Sequence, residues 1–154
     1  GLSGNAITIE GVTLKSGTKT LKSGLVGTYI TSNPYAGCSS GFLVTIRDCV
    51  AEEGVVIGYT HEEPMIGTFA GRFNGTIENC VSHATVYGKE YVGGIAASLD
   101  NSTATTAISG CSFDGTVEAS GILAGGILAG GYSDASAPNA YRATIRLRLH
   151  HRRR

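Results

Sequence analysis

Residues 75–80 read GTIENC, and close variants of this stretch stand 31 residues before it and 31 residues after it. The earlier copy is VTIRDC at 44–49, and the later copy is TAISGC at 106–111. A valine follows each of the three cysteines by six residues. Self-similarity at a fixed period of this size is the sequence signature of repeat proteins. The chain is therefore predicted to consist of stacked units of about 31 residues.

The position before each repeated cysteine is predicted to be a chain corner. It holds Asp48, Asn79 and Gly110, three residue types that adopt a positive φ at low cost. A corner also lets the isoleucine three residues earlier and the cysteine itself both point inward, which simple strand alternation would not allow. The segment TIEGV at 8–12 has the same pattern, with glycine at the corner and valine in place of cysteine. The repeats are thus expected to extend towards the N-terminus.

The composition favours an all-β fold. Glycine occurs 23 times in 154 residues, whereas proline occurs three times, methionine once and tryptophan not at all. Short strands joined by corners cannot bury a face alone, but in-register stacking at about 4.8 Å pairs each strand with the units above and below. Parallel crossovers are right-handed in nearly all proteins. We therefore predict a single-stranded right-handed parallel β-helix (a solenoid) of about four to five coils, with three short strands per coil.

One solenoid domain is expected over residues 1–141. Its coils are expected near residues 5–43, 44–74, 75–105 and 106–141. In the first of the 31-residue coils the register would turn Glu53 inward, so a bulge or a looser loop is expected there. Residues 142–154 form a basic C-terminal segment that begins like another coil but places leucine at the corner and Arg148 in the inward position. This segment either caps the stack with a differently bonded strand or is foreign to the domain.

The charge distribution is uneven, although the chain has 12 basic and 12 acidic residues. Six of the basic residues follow Tyr141, where there are no acids, so residues 1–141 carry a net charge of −6. An acidic body does not favour nucleic-acid binding. Apolar runs such as GILAGGILAGG at 121–131 are glycine-broken and shorter than the roughly 18 residues of a membrane-spanning helix, so no membrane insertion is expected. No signal peptide is visible at Gly1, and we expect that an export signal has been removed.

The blocks GTIENC at 75–80 and YVGGIAAS at 91–98 resemble the GLUG-motif repeat. That repeat combines a Val-Gly-Gly-Leu/Ile strand, a loop, a Gly-Thr-Ile strand and an Asn-Cys/Ser corner. The resemblance covers residues 44–131 well and residues 5–43 weakly. It implies a bacterial extracellular or cell-surface protein of the adhesin type, and a repeat without catalytic residues of its own.

The period aligns Glu52, His83 and Asp114 on the outward face of successive coils. An acid, an imidazole and a second acid in one row are the only constellation in the sequence that is typical of general acid–base chemistry. The same row is also what a solvated polar ladder would look like, and this is the interpretation we favour. No cofactor or metal site is expected, because HEEP at 61–64 lacks the second histidine of a zinc helix and contains a proline.

The three repeated cysteines, Cys49, Cys80 and Cys111, are expected to lie above one another in successive repeats. They could form a disulfide, bind a metal or pack in the core. Parallel Cβ vectors strain a disulfide between stacked strands, and zinc favours paired C-x₂-C spacing. Packing is therefore expected for all three, together with the corner residues beside them. Cys38 is expected to be a free thiol in a loop.

The function predicted from the sequence is a non-catalytic scaffold at the cell surface or outside the cell. A host protein or a glycan is the expected ligand, and the open ends of the stack are candidates for end-to-end self-association. The alternative is a carbohydrate-active enzyme of the β-helix type, a glycan lyase or hydrolase that uses Glu52, His83 and Asp114. A third reading is a fragment of a longer array whose activity lies elsewhere.

Overall fold

The computed structural model describes residues 5–26, 42–73, 75–100, 107–121, 123–132 and 145–147. All the regular elements in these ranges are β-strands. In chain order they are β1 (Asn5–Glu10), β2 (Thr13–Leu14), β3 (Lys19–Thr20), β4 (Phe42–Arg47), β5 (Val50–Ala51), β6 (Val56–Ile57), β7 (Met65–Gly67), β8 (Ala70–Phe73), β9 (Gly75–Glu78), β10 (Val81–Ser82), β11 (Thr85–Gly88), β12 (Tyr91–Gly93), β13 (Ala96–Asp100), β14 (Ala107–Phe113), β15 (Thr116–Ala119), β16 (Leu123–Gly125), β17 (Leu128–Tyr132) and β18 (Ile145–Leu147).

Each strand pairs with a strand of the preceding or following repeat, and the pairing is parallel throughout the described strands. The largest sheet has the order β1-β4-β9-β14-β10-β5-β2, and β18 adds to β14. The other sheets are β15-β11-β6-β3, β16-β12-β7 and β17-β13-β8. The prediction of an all-β chain with parallel pairing is confirmed.

The prediction of three strands per repeat is wrong, because five strands, β4 to β8, lie between Phe42 and Phe73. The predicted corner and two further turns or bends divide each repeat into these strands. Asp48 separates β4 from β5, and a turn at Glu53 and Gly54 separates β5 from β6. A further bend at 68–69 divides the segment that corresponds to YVGGIAAS one repeat later. Glycine-rich strand sequences thus conceal bends that hydrophobic patterning does not reveal.

The 31-residue period is the register between β4, β9 and β14 in the first sheet. Other strand pairs have other offsets: Val56 pairs with Thr85, Met65 with Tyr91 and Tyr91 with Leu123. Ile46, Ile77 and Ile108 are successive partners in the first sheet. The predicted corners have φ angles of 55° at Asp48, 54° at Asn79 and 62° at Gly110. The left-handed conformation at these positions confirms the corner prediction.

The core is one apolar cluster that runs through successive repeats. Its fully buried members include Ile46, Cys49, Ile57, Phe69, Phe73, Ile77, Cys80, Val86 and Ile95. Residues at the first and last repeats, such as Val12 and Phe113, are only partly buried against this cluster. The interior is therefore completed by neighbouring repeats on both sides.

Two interior positions differ from repeat to repeat in a compensating way. Ser82 is buried and its hydroxyl lies 2.7 Å from that of Thr68, across the core. In the next repeat the partner of Ser82 is Phe113, whose ring lies against Gly94. A Cβ on Gly94 would lie 2.5 Å from Cγ of this ring. The large side chain of Phe113 is thus accommodated because Gly94, which faces it across the interior, has no side chain.

The basic C-terminal segment contributes β18, which pairs with β14. Ile145 is the partner of Ile108 and Leu147 is the partner of Cys111, with a register shift between the two pairs. The constant spacing assumed from the sequence would have placed Arg148 opposite Cys111, and this expectation is wrong. The shift brings an apolar residue type into that register position instead. The other residues of 142–154 lie outside the described ranges.

Candidate functional site

The residues predicted to form an outward row do follow equivalent strands. Glu52 comes directly after β5, His83 after β10 and Asp114 after β14. The His83 N–H donates to the Ala51 carbonyl at 2.9 Å, and the Asp114 N–H donates to the Ser82 carbonyl at 2.9 Å. The backbone ladder therefore fixes the three residues at successive levels of the same edge.

Glu52 is turned away from the other two. One carboxylate oxygen lies 3.0 Å from Lys15 Nζ, and the other accepts the Ser16 N–H at 3.0 Å. These two interactions, the Ser16 N–H first, hold the pKa of the Glu52 carboxyl below its ordinary value. Glu52 thus caps the turn at Ser16 and Gly17. Lys15, which the 31-residue period does not indicate, extends the row by one repeat.

His83 and Asp114 face each other at 3.9 Å, measured from Nδ1 to Oδ2. This separation exceeds a direct hydrogen bond, and it leaves room for a bridging hydroxyl or water to bond both groups. The two side chains are 41% and 63% exposed, so they are open to an incoming molecule.

A polar depression of about 290 Å³ surrounds this pair. It is lined by Glu53, His83, Thr85, Asp114 and Thr116, with Gly54 and Gly115 between them. We call this feature the polar depression. Glu53 was expected to disturb the register if it pointed inward. The structure resolves that conflict with a turn, because Gly54 has a φ of 88° and Glu53 is exposed.

The depression lies where the repeat length changes. In the first two repeats, two extra residues (Ser16-Gly17 and Glu53-Gly54) form a turn before the next strand. In the following repeats the chain passes from β10 to β11, and from β14 to β15, without that turn. The turn at 53–54 therefore stands beside a recessed surface formed by 83–85 and 114–116. The glycine after Glu53 is the sequence signal that could have identified this outward turn.

The arrangement is suited to hydrogen bonding with a polar ligand. It contains two carboxylates, an imidazole and two threonine hydroxyls, which together offer both donors and acceptors. Its openness to water keeps the local dielectric high, and electrostatic stabilisation of a transition state is weaker in such a setting than in a closed cleft.

The cysteines of the repeat lie in the core, with Cys49 and Cys80 fully buried and Cys111 1% exposed. Each thiol donates to the carbonyl two residues earlier, at 3.3 to 3.5 Å. Burial raises the pKa of the Cys49 thiol, and the neighbouring Cys111 thiol together with burial raises that of Cys80. All three are free thiols. Their position supports the packing interpretation. Cys38 lies outside the described residues.

Among the described residues, three or more His, Cys, Asp or Glu side chains are nowhere grouped so that they could hold a metal ion. Within the same ranges there is also no helix of the length and apolarity that a membrane crossing requires.

The chain was compared with protein-family models, with curated proteins and with solved structures, and none of them matches. The resemblance to the GLUG-motif repeat therefore remains a prediction that rests on the residues quoted above.

Proposed function

We propose that this chain is a non-catalytic repeat module of a bacterial cell-surface or secreted protein, an adhesin-like scaffold that spaces or binds. We further propose that it folds as a right-handed parallel β-helix. The observation that carries both proposals is the in-register parallel pairing of equivalent strands from one repeat to the next.

The ladder pattern supports the β-helix. We call a series of equivalent strands that pair from repeat to repeat, such as β1, β4, β9 and β14, a ladder. Between β4 and β9 the chain adds one strand, β5, β6, β7 and β8, to each of the four other ladders. A chain that returns to the same ladder after visiting all the others follows a closed turn. The right hand is proposed because parallel crossover connections are nearly always right-handed. A crystal structure tests this part of the proposal. A left-handed helix, or strands that do not close into a coil, would refute it.

The continuous interior supports the role of a stiff scaffold. Each middle repeat buries its apolar residues against both neighbours, and the thiols and isoleucines stack at the same level of each repeat. A rod built in this way cannot bend without separating backbone hydrogen bonds. Stiffness of this kind is useful for holding a binding surface away from a cell.

The surface location is proposed from the GLUG-like blocks. Antibody labelling of intact cells of the source organism, with and without prior protease treatment, tests it directly. Labelling that requires permeabilised cells would contradict the proposed location.

Catalysis is tested separately, because the pair formed by His83 and Asp114 favours a carbohydrate-active enzyme as the second candidate. The chain is incubated with a panel of polysaccharides, and released oligosaccharides are measured by mass spectrometry. We expect no release. Release that disappears in the triple variant Glu52→Gln, His83→Ala, Asp114→Asn would replace the scaffold proposal with the enzyme.

A further inference from the structure

We infer that the polar depression binds one ring of a neutral saccharide. This inference rests on the proposed function, because it assigns a chemical class and a location to the ligand of an adhesin-like module.

The hydrogen-bonding groups of the depression define the class of ligand. The carboxylates of Glu53 and Asp114 only accept hydrogen bonds when ionised, whereas the hydroxyls of Thr85 and Thr116 and the imidazole of His83 both donate and accept. A complementary ligand must therefore also offer donors and acceptors side by side. Sugar hydroxyls do so, whereas an ammonium group only donates.

The charge of the depression disfavours anionic ligands. Among the described residues, its lining contains two carboxylates and neither lysine nor arginine. A uronate, a sulfate or a phosphate group would be repelled by the carboxylates of Glu53 and Asp114. A neutral sugar remains the best match, because a carboxylate accepts well from hydroxyl groups.

The size and the surroundings agree with a single ring of a longer chain. At about 290 Å³ the depression lies at the lower end of the range for small-molecule sites, and it is walled on one side by the turn at 53–54. Tyr87 follows Thr85 by two residues on the same face of β11, roughly 7 Å further along the strand. Its ring is stacked with that of His61, with centroids 4.1 Å apart. Aromatic rings placed one sugar length from a hydrogen-bonding site can pack against the C–H face of the next sugar unit.

A basic peptide is the competing ligand, and physical reasons disfavour it. Ion pairs at exposed positions contribute roughly 1 kcal/mol or less and are screened by salt. Asp114 is 63% exposed, so a lysine placed there would gain little. A sugar ring that forms several hydrogen bonds at once does not depend on a single exposed ion pair.

The experiment is calorimetric titration of the full chain with cellotetraose, maltotetraose, mannotetraose and the N-acetylglucosamine tetramer. Tetragalacturonate and tetralysine serve as the acidic and the basic comparison. We expect at least one neutral tetrasaccharide to bind with an affinity that does not change with salt. Asp114→Asn should weaken that binding about tenfold, because a hydrogen bond to a charged acceptor is lost. Thr116→Val should weaken it several-fold.

Glu10→Gln is the matched control, since Glu10 is an exposed carboxylate on the first sheet that pairs with Arg47 at 3.1 Å. It should bind like the wild type. Glu53→Gln replaces Asp114→Asn if the latter loses its thermal unfolding transition. The inference is overturned if all the neutral probes fail to bind at about 10 mM, if only tetragalacturonate or tetralysine binds, or if both site variants bind unchanged. Cleavage of a bound neutral glycan would instead refute the non-catalytic function while the site itself stands.

Discussion

Ser82 and Thr68 form the buried hydroxyl pair of the interior, and substituting them tests whether this contact stabilises the stack. The Ser82 hydroxyl lies 2.7 Å from that of Thr68, and it also accepts the Ala84 N–H at 3.2 Å. Both residues are fully buried. In Ser82→Ala, the Thr68 hydroxyl and the Ala84 N–H lose this partner in a place that water does not reach.

The expected loss of folding free energy follows from the number of buried groups that lose a hydrogen bond. A buried polar group left without its hydrogen bond costs about 1–3 kcal/mol. Ser82→Ala should therefore lower the free energy of unfolding by about 2 kcal/mol. Thr68→Val should cost about 1 kcal/mol, because the Ser82 hydroxyl can still accept from Ala84. The double variant should cost about 1 kcal/mol less than the sum of the two single variants, since the Thr68 hydroxyl is absent when Ser82 is removed.

Urea denaturation measures these values. The chain has seven tyrosines and no tryptophan, so tyrosine fluorescence and far-ultraviolet circular dichroism are the two probes. The m value should be unchanged, so the difference appears in the midpoint. Ser120→Ala, at an exposed position, is the control and should stay within about 0.5 kcal/mol of the wild type. Full additivity of Ser82→Ala and Thr68→Val would refute the reasoning, because it would mean that the two hydroxyls do not interact.

Three further predictions concern the corner, the interior and the exposed row. Asn79→Val should destabilise the chain by about 1–2 kcal/mol, whereas Asn79→Gly should be nearly neutral, because a β-branched residue is strained at a φ of 54°; equal midpoints in urea for both variants would contradict this. Gly94→Ala should cost about 3 kcal/mol or more, since its Cβ would lie 2.5 Å from the Phe113 ring and 2.0 Å from the Gly126 carbonyl oxygen; a thermal midpoint equal to that of the wild type would show that the backbone yields. Glu52→Gln should be less stable than the wild type at neutral pH but not in acid. Folding lowers the pKa of Glu52, so the ionised carboxylate stabilises the folded chain above the ordinary pKa of 4.5. This stabilisation is lost as the pH falls through the pKa of the folded state. Unfolding curves at pH 7 and pH 3 for both chains test this, and a difference between the two chains that is undiminished at pH 3 would speak against it.

The repeat, the corners and the parallel pairing could be predicted from the sequence because each has a local signal. Asp48, Asn79 and Gly110 carry the conformational preference themselves, and the 31-residue period predicts that β4, β9 and β14 meet. It does not give the register of the strands around Met65, which pairs with Tyr91. The number of strands per repeat could not be predicted in the same way. The turn at Glu53 and Gly54 and the bend at Gly94 and Ile95 do not interrupt the apolar pattern, so the strands on either side of each read as one.

The polar depression was only partly predictable. The period places His83 beside Asp114, but it cannot give the direction in which Glu52 turns, because that depends on the Ser16 N–H one repeat away. The sequence pattern indicates a conflict between Glu53 and burial, and it does not indicate that Glu53 lies beside His83 and Asp114. Side-chain direction at an insertion depends on the turn that the inserted residues form, and periodicity contains no information about it.

The depression lies where the repeat pattern changes. In-register pairing places equivalent residues at successive levels of a sheet, so a strictly repeated chain would present an even outer face. The extra turn at 53–54, absent after β10, makes a step between one repeat and the next. A step of this kind provides a wall and a recess without disturbing the core, because the apolar partners on both sides, Ile57 and Val86, stay in register. Insertions of a few residues can therefore add a recess to a repeat chain of this type while the strand pairing continues. At the polar depression such an insertion lies next to an imidazole and two acids, and this is why the proposed saccharide site is placed there.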